Sequence, residues 1–120
     1  MRRSLLLLAF VLLGPVLGTA PADAQIRQGF YEIEGRNPDG SPYGGMFALE
    51  PAPGASWYAM WQVGDVRLVG LGLIQSGVLA VSFVVEGRPG IATYEVDADG
   101  RLRGTWSTGG GMGTEVLTPR

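Results

Sequence analysis

From residue 28 onward, apolar and polar positions alternate with a period of two, and turn signals interrupt the alternation about every 8–12 residues. The segment 28–35 shows the pattern first. Tyr31 and Ile33 fall on one face, and Glu32 and Glu34 fall on the other. A half-buried β-strand has this period, so the segment is predicted to be a strand with a solvated glutamate face.

Further short segments follow as far as the end of the chain, most of them alternating, whereas 68–74 is apolar on both faces. The segments are 43–49, 57–62, 68–74, 78–85, 91–97, 101–106 and 114–118. Segment 78–85 is the most apolar and is predicted to be a central strand. The sequences NPDG at 37–40 and DADG at 97–100 favour tight hairpin turns, because proline and glycine suit the φ values that such turns require.

About eight strands joined by short loops favour an antiparallel meander, because a short loop can join only antiparallel neighbours. A meander of this length tends to close, since closure removes exposed edges. The predicted fold is therefore all-β, either a small up-and-down barrel of lipocalin-like form or a curled sandwich, preceded by a signal-peptide helix. The interior of such a barrel is filled by side chains or holds one small ligand.

Residues 1–24 have the three parts of a secretory signal peptide. Arg2 and Arg3 provide a positive start, residues 5–13 are an unbroken apolar run, and Ala22-Asp23-Ala24 offers a cleavage site. The apolar run is too short to span a membrane. We expect cleavage to leave one β domain, residues 25–120, in the periplasm or outside the cell, by the general secretory or the twin-arginine route.

The composition excludes several kinds of catalytic and metal-binding site. The chain has no histidine, no cysteine and no lysine, and its formal net charge is −2. Thiol catalysis, histidine triads, Schiff bases and zinc sites with nitrogen or sulfur ligands are therefore excluded. Nucleic-acid binding would need clustered positive charge. We expect a non-catalytic protein with no cofactor, no metal and no nucleic-acid partner.

Large aromatic residues are numerous for a small domain, and they are candidates for contact with a ligand or partner. They are Trp57, Tyr58, Trp61, Tyr94 and Trp106. Packing in the core is the favoured explanation, because such side chains supply much of a core's buried area. The alternative is a lined pocket or an exposed contact patch.

Glu115 is the least ordinary carboxylate in the chain. It shares a face with Leu117, so it is buried if Leu117 points inward and exposed if Val116 does. A buried carboxylate needs a partner, and Arg103 on the preceding strand is available. The sequence therefore predicts a buried ion pair between Arg103 and Glu115.

The mature chain also resembles a group of small exported bacterial proteins with a single β domain, some of them labelled fibronectin-binding. The matching segments are GFYEIEG (29–35), NPDGSPYGG (37–45), YAMWQVG (58–64), GLG (70–72), YEV (94–96), DGRLRGTW (99–106) and EVLTP (115–119). The resemblance implies a β fold and carries over no catalytic residue.

Three functional hypotheses follow. The leading one is a non-catalytic exported module that binds a macromolecular partner or serves the cell envelope. The second is a carrier of a small apolar ligand in a lipocalin-like cavity. It fails if aromatic side chains fill the interior and leave no void. The third is a secreted enzyme inhibitor that acts through a loop such as residues 86–90.

Overall fold

A computed structural model describes residues 25–120, and the predicted signal peptide, residues 1–24, lies outside the described residues. Eight antiparallel strands form one closed barrel. They are β1 (Gly29–Arg36), β2 (Pro42–Ala52), β3 (Ser56–Val63), β4 (Val66–Gln75), β5 (Val78–Val85), β6 (Arg88–Val96), β7 (Leu102–Ser107) and β8 (Gly113–Pro119). A short 3₁₀ turn, Pro53–Ala55, joins β2 to β3. In the described part of the chain, no helix is long and apolar enough to cross a membrane.

Each strand pairs with its neighbours in sequence, and β1 closes the barrel by pairing with β8. Ile33 on β1 lies opposite Gly45 on β2 and opposite Leu117 on β8. The all-β meander is confirmed, and of the two predicted forms the chain adopts the barrel. Segment 78–85 forms β5, which pairs with β4 on one side and with β6 on the other, as every strand of a closed barrel has two neighbours. The outer face of β5 stays in solvent, with Val84 63% exposed.

The hairpin turns form where their sequences predict them. The Gly40 N–H donates to the Asn37 carbonyl at 2.8 Å, and the Gly100 N–H donates to the Asp97 carbonyl at 2.9 Å. The loop considered for an inhibitor is shorter than expected. Residues 86 and 87 form the turn with positive φ values of 52° and 76°, and β6 already begins at Arg88.

Alternating side chains of all the strands fill the barrel. The aromatic rings at its centre meet edge to face or tilted: the ring centroids of Tyr31 and Phe47 are 5.8 Å apart, those of Phe47 and Trp61 5.1 Å, and those of Trp61 and Phe83 5.1 Å. Such contacts add to the stabilisation from buried area. Buried aromatic and aliphatic side chains therefore occupy the middle of the barrel.

The two ends of the barrel differ. The upper end, as we name it, carries the β1–β2, β3–β4, β5–β6 and β7–β8 connections, and the lower end carries the other three connections and both termini of the described chain. At the lower end, Ile26 packs against the core. The hydroxyl of Tyr31 donates to the Arg27 carbonyl and accepts from the Arg27 N–H. The segment that precedes β1 is thereby tied to the barrel.

Candidate functional site

The candidate site is a pocket at the upper end, where the packed interior opens to solvent. Its volume is about 260 Å³. The lining residues are Asn37, Tyr43, Trp61, Val63, Val66, Leu68, Phe83, Val85, Trp106, Thr108 and Glu115. Most of these side chains are apolar or aromatic, which is typical of small-molecule sites. Glu115 is the one charged side chain in the lining.

Glu115 is buried because of the alternation along β8. Leu117 is fully buried inside the barrel, so Glu115, two residues earlier, also points inward and is 5% exposed. Burying a carboxylate is costly unless its oxygens are hydrogen-bonded. Of the two orientations that the sequence allowed, the structure has the inward one.

Three neutral side chains donate hydrogen bonds to the Glu115 carboxylate. The Tyr94 hydroxyl donates to Oε1 at 2.6 Å, and the Trp61 indole Nε1–H donates to the same oxygen at 3.3 Å. The Tyr43 hydroxyl donates to Oε2 at 2.6 Å. The two tyrosine bonds, at 2.6 Å each, are short, as is typical of hydroxyl groups that donate to a carboxylate.

A second hydrogen bond orients Tyr43. Its hydroxyl accepts from the Trp106 indole Nε1–H at 2.8 Å, so its own proton is directed to Glu115. Burial is the first cause that raises the pKa of Tyr43 and that of Tyr94, and the neighbouring Glu115 raises both further. Both phenols therefore stay protonated and remain donors at neutral pH.

The predicted ion pair between Arg103 and Glu115 is wrong. Arg103 lies opposite Val116 rather than Glu115, and its side chain points out of the barrel. Its Nε–H donates to Asp97 Oδ2 at 2.6 Å on the surface. The side chains found to donate to Glu115 belong instead to tyrosine and tryptophan.

Glycines give the aromatic walls their shape. Each of four aromatic rings lies across a glycine that is its direct partner on the neighbouring strand, and a Cβ on that glycine would overlap the ring. The pairs are Tyr43 with Gly35, Phe83 with Gly90, Tyr94 with Gly104, and Trp106 with Gly113. The rings can thus lie flat against the backbone, which leaves the pocket open.

The predicted contact aromatics separate into three places. Trp61, Tyr94 and Trp106 belong to the Glu115 site, where the first two are buried and Trp106 is half-buried. Trp57 is half-buried and lines a cleft at the lower end. Tyr58 is 49% exposed on the outer surface.

Sequence reasoning did not identify Tyr43 and Phe83 as site residues. Tyr43 shares a strand face with Phe47, which is a signal for inward orientation but not for contact with Glu115. The contact depends on the closure of β1 onto β8, which brings residues 72 positions apart within a hydrogen bond. No local pattern encodes that distance.

The outer surface of the barrel carries an exposed apolar patch. The outer patch consists of Tyr58, Val69, Leu71, Leu73, Val84 and Ile91. These residues lie on four consecutive strands, β3 to β6, and Tyr58 is the direct partner of Leu71. The patch contains no ionisable cluster, and among residues 25–120 no three acidic side chains come together as a metal site requires.

Comparisons with known proteins identify the fold. No protein-family model matches the chain, and no curated protein does either. Among solved structures, the chain is similar to a redesigned β-barrel, mFAP1, bound to DFHBI, with a TM-score of 0.59 and 16% identity over 81% of this chain and 97% of that one. It is also similar to a de novo designed fluorescence-activating β-barrel, with a TM-score of 0.56 and 18% identity over 81% of this chain and 96% of that one. At this identity, the likeness extends to the barrel fold.

Proposed function

We propose that this chain is an exported, non-catalytic β-barrel that binds a small, largely apolar molecule in the upper pocket. The observation that carries the proposal is a buried carboxylate in an apolar pocket at the open end of an otherwise packed barrel. Packing alone would favour an apolar residue at position 115, because a buried carboxylate costs free energy. A polar group that fixes a ligand's orientation within apolar walls is typical of binding sites.

A carrier of a small ligand requires that the aromatic side chains of the interior leave a void, and this condition is met in part. Aromatic side chains do fill the middle of the barrel, which limits any ligand to its ends, and of the two ends the upper one has a polar group, Glu115, among its lining residues. The two similar structures support the proposal, since mFAP1 is bound to DFHBI and the de novo designed barrel is a fluorescence-activating one. A barrel of eight strands is also of a size that can hold one small ligand.

The proposal keeps the expected route of the protein. The predicted signal peptide and the resemblance to small exported bacterial proteins both favour the periplasm or the medium. Export predicts that the recovered protein begins at Gln25, and intact mass measurement of the extracellular or periplasmic protein tests this.

The three tryptophans make a direct binding test. Trp61 and Trp106 line the pocket, and Trp57 lies at the other end of the barrel. Addition of benzyl alcohol, a single-ring probe, to ¹⁵N-labelled mature protein should shift the indole signals of Trp61 and Trp106 and leave that of Trp57 unchanged. Absence of any shift at millimolar probe, or a shift of Trp57 alone, would contradict the proposal.

A matched pair of variants locates the binding. Leu68→Trp places a larger side chain in the pocket lining, and Leu73→Trp makes the same change on the outer face of the same strand. The first variant should weaken probe binding about tenfold or more, and the second should bind as the wild type does. Equal binding by both variants would place the probe elsewhere.

The outer patch favours a second candidate, the binding of a macromolecular partner at the cell envelope. Leu71 and Leu73 are 52% and 61% exposed, and contiguous exposed apolar surface often marks an interaction site. The mature chain should then cosediment with envelope fractions, and the double variant Leu71→Ser, Leu73→Ser should not. Equal sedimentation of both proteins would rule the patch out.

A further inference from the structure

We infer that the upper pocket selects an organic cation whose apolar part is about one ring in size, with its charge beside Glu115. The inference rests on the proposed function and adds the charge of the ligand. It comes from the chemistry of the lining, in which one carboxylate faces aromatic and aliphatic walls.

The hydrogen bonds around Glu115 fit an ionised carboxylate. The indole Nε1–H of Trp61 can only donate, and the hydroxyl of Tyr43 already accepts from Trp106, so both direct a proton at a Glu115 oxygen. The hydroxyl of Tyr94 bonds to the same carboxylate. These donors are neutral, so they satisfy the oxygens without balancing the charge.

Within residues 25–120 no cationic side chain pairs with Glu115. The ion pairs of the described chain join Arg101 to Asp99, Arg103 to Asp97 and Arg120 to Glu32, all on the outside. A negative charge in a site of low dielectric attracts a cation more strongly than the same charge does in water. The pocket thus has a charge that a cationic ligand would balance.

The carboxylate also has room for one more donor. A carboxylate has about four acceptor positions, and two of those on Oε1 and one on Oε2 are used. One position on Oε2 is left, on the oxygen that also bonds to Tyr43. An N–H donor of a ligand can occupy it without displacing a protein group.

The walls suit the rest of such a ligand. Trp61, Trp106 and Tyr43 present aromatic rings to the pocket, and aromatic faces attract organic cations. The volume of about 260 Å³ exceeds the 150 Å³ or so that holds benzene and falls below the range of drug-sized pockets. A single ring with a short charged substituent fits between these limits.

A set of four probes with the same ring tests the inference at pH 7 on the mature protein. Benzylammonium and benzyltrimethylammonium are cations, benzyl alcohol is neutral and benzoate is an anion. We expect both cations to bind at least about tenfold more tightly than benzyl alcohol, and benzoate to bind most weakly, with shifts of the Trp61 and Trp106 indole signals as the measurement.

Glu115→Gln removes the charge and keeps the size of the side chain, and Glu34→Gln makes the same change on the outer face of β1. The first variant should lose the preference for cations over benzyl alcohol, whereas the second should keep the wild-type order. Circular dichroism checks that both are folded.

The outcomes separate the inference from the proposed function. Equal affinities, or tightest binding by benzyl alcohol or benzoate, would overturn the cation inference and leave the small-ligand proposal standing. Binding by none of the probes would overturn both. The wild-type series decides the matter even if Glu115→Gln fails to fold.

Discussion

At the two ends of the barrel, the hydroxyl groups of inward-facing tyrosines have different hydrogen-bond partners. At the lower end, Tyr31 exchanges hydrogen bonds with the backbone of Arg27, and this contact fixes the segment that precedes β1. At the upper end, Tyr43 and Tyr94 donate to the side chain of Glu115. At the lower end, the contact uses both the N–H and the carbonyl of Arg27. At the upper end, the Glu115 carboxylate keeps one free acceptor position and its charge. Only the arrangement at the upper end therefore leaves a polar group with which a ligand can interact.

The clefts at the two ends differ in the same way. The lower cleft is lined by Gln25, Ile26, Trp57, Ile74, Ser76, Gly77 and Val96, none of which has an ionisable side chain. The upper pocket has Glu115 in its wall. The lower cleft is the larger of the two, so volume does not identify the candidate site. The placement of a charged side chain identifies it instead.

The two ends should differ most in how they affect the free energy of unfolding at alkaline pH. Burial raises the pKa of Tyr31, Tyr43 and Tyr94 in the folded protein above 10.0, the value of an unperturbed tyrosine. Above pH 10 the unfolded chain loses these protons while the folded chain keeps them, so unfolding becomes more favourable. Each retained proton lowers the free energy of unfolding by about 1.4 kcal/mol per pH unit, and below pH 10 the effect vanishes.

Urea unfolding at pH 8, 10 and 11 measures this loss, and two variants assign it to an end. The charge of Glu115 adds to burial at Tyr94, whereas at Tyr31 the Arg27 backbone bond and charge oppose burial. Tyr94→Phe should therefore reduce the alkaline loss more than Tyr31→Phe does. A larger reduction by Tyr31→Phe would contradict this effect of Glu115.

At neutral pH the same two variants should differ less, though still measurably. Tyr94→Phe removes a hydrogen bond to a buried carboxylate, which costs about 2 kcal/mol. Tyr31→Phe removes bonds to backbone groups, which costs about 1 kcal/mol. Urea midpoints at pH 7 check the order, with the exposed Tyr58→Phe as control. A larger loss at Tyr31 would reverse the comparison.

The barrel could be predicted because its determinants are local. Period-two alternation sets which residues face inward, as at Tyr31 and Ile33, and the sequences at 37–40 and 97–100 set the turns. Short connections then leave one simple topology. The inward position of Glu115 followed from its spacing to Leu117, although the sequence alone left the opposite orientation open.

The partners of Glu115 depend on register across several strands, which local pattern does not determine. A shift of one residue along a strand turns a side chain to the other face of the sheet. Arg103 lies on the strand next to Glu115, but it faces outward and does not reach the carboxylate. The residues that do reach it lie on β2, β3 and β6, and they cross the interior of the closed barrel. That geometry exists only after β1 pairs with β8.

The smallest expected effect tests this correction. Arg103 pairs with Asp97 at the surface, where the two side chains are 53% and 31% exposed, so Arg103→Ala should cost less than about 1 kcal/mol. Loss of a buried partner of Glu115 would instead cost about 3–5 kcal/mol. Urea unfolding of Arg103→Ala beside Arg101→Ala, a control from the same hairpin, measures the difference. The effect should also add to that of Glu115→Gln, because the two side chains share no contact, and strong coupling between them would restore the ion pair that the alternation of β7 excludes.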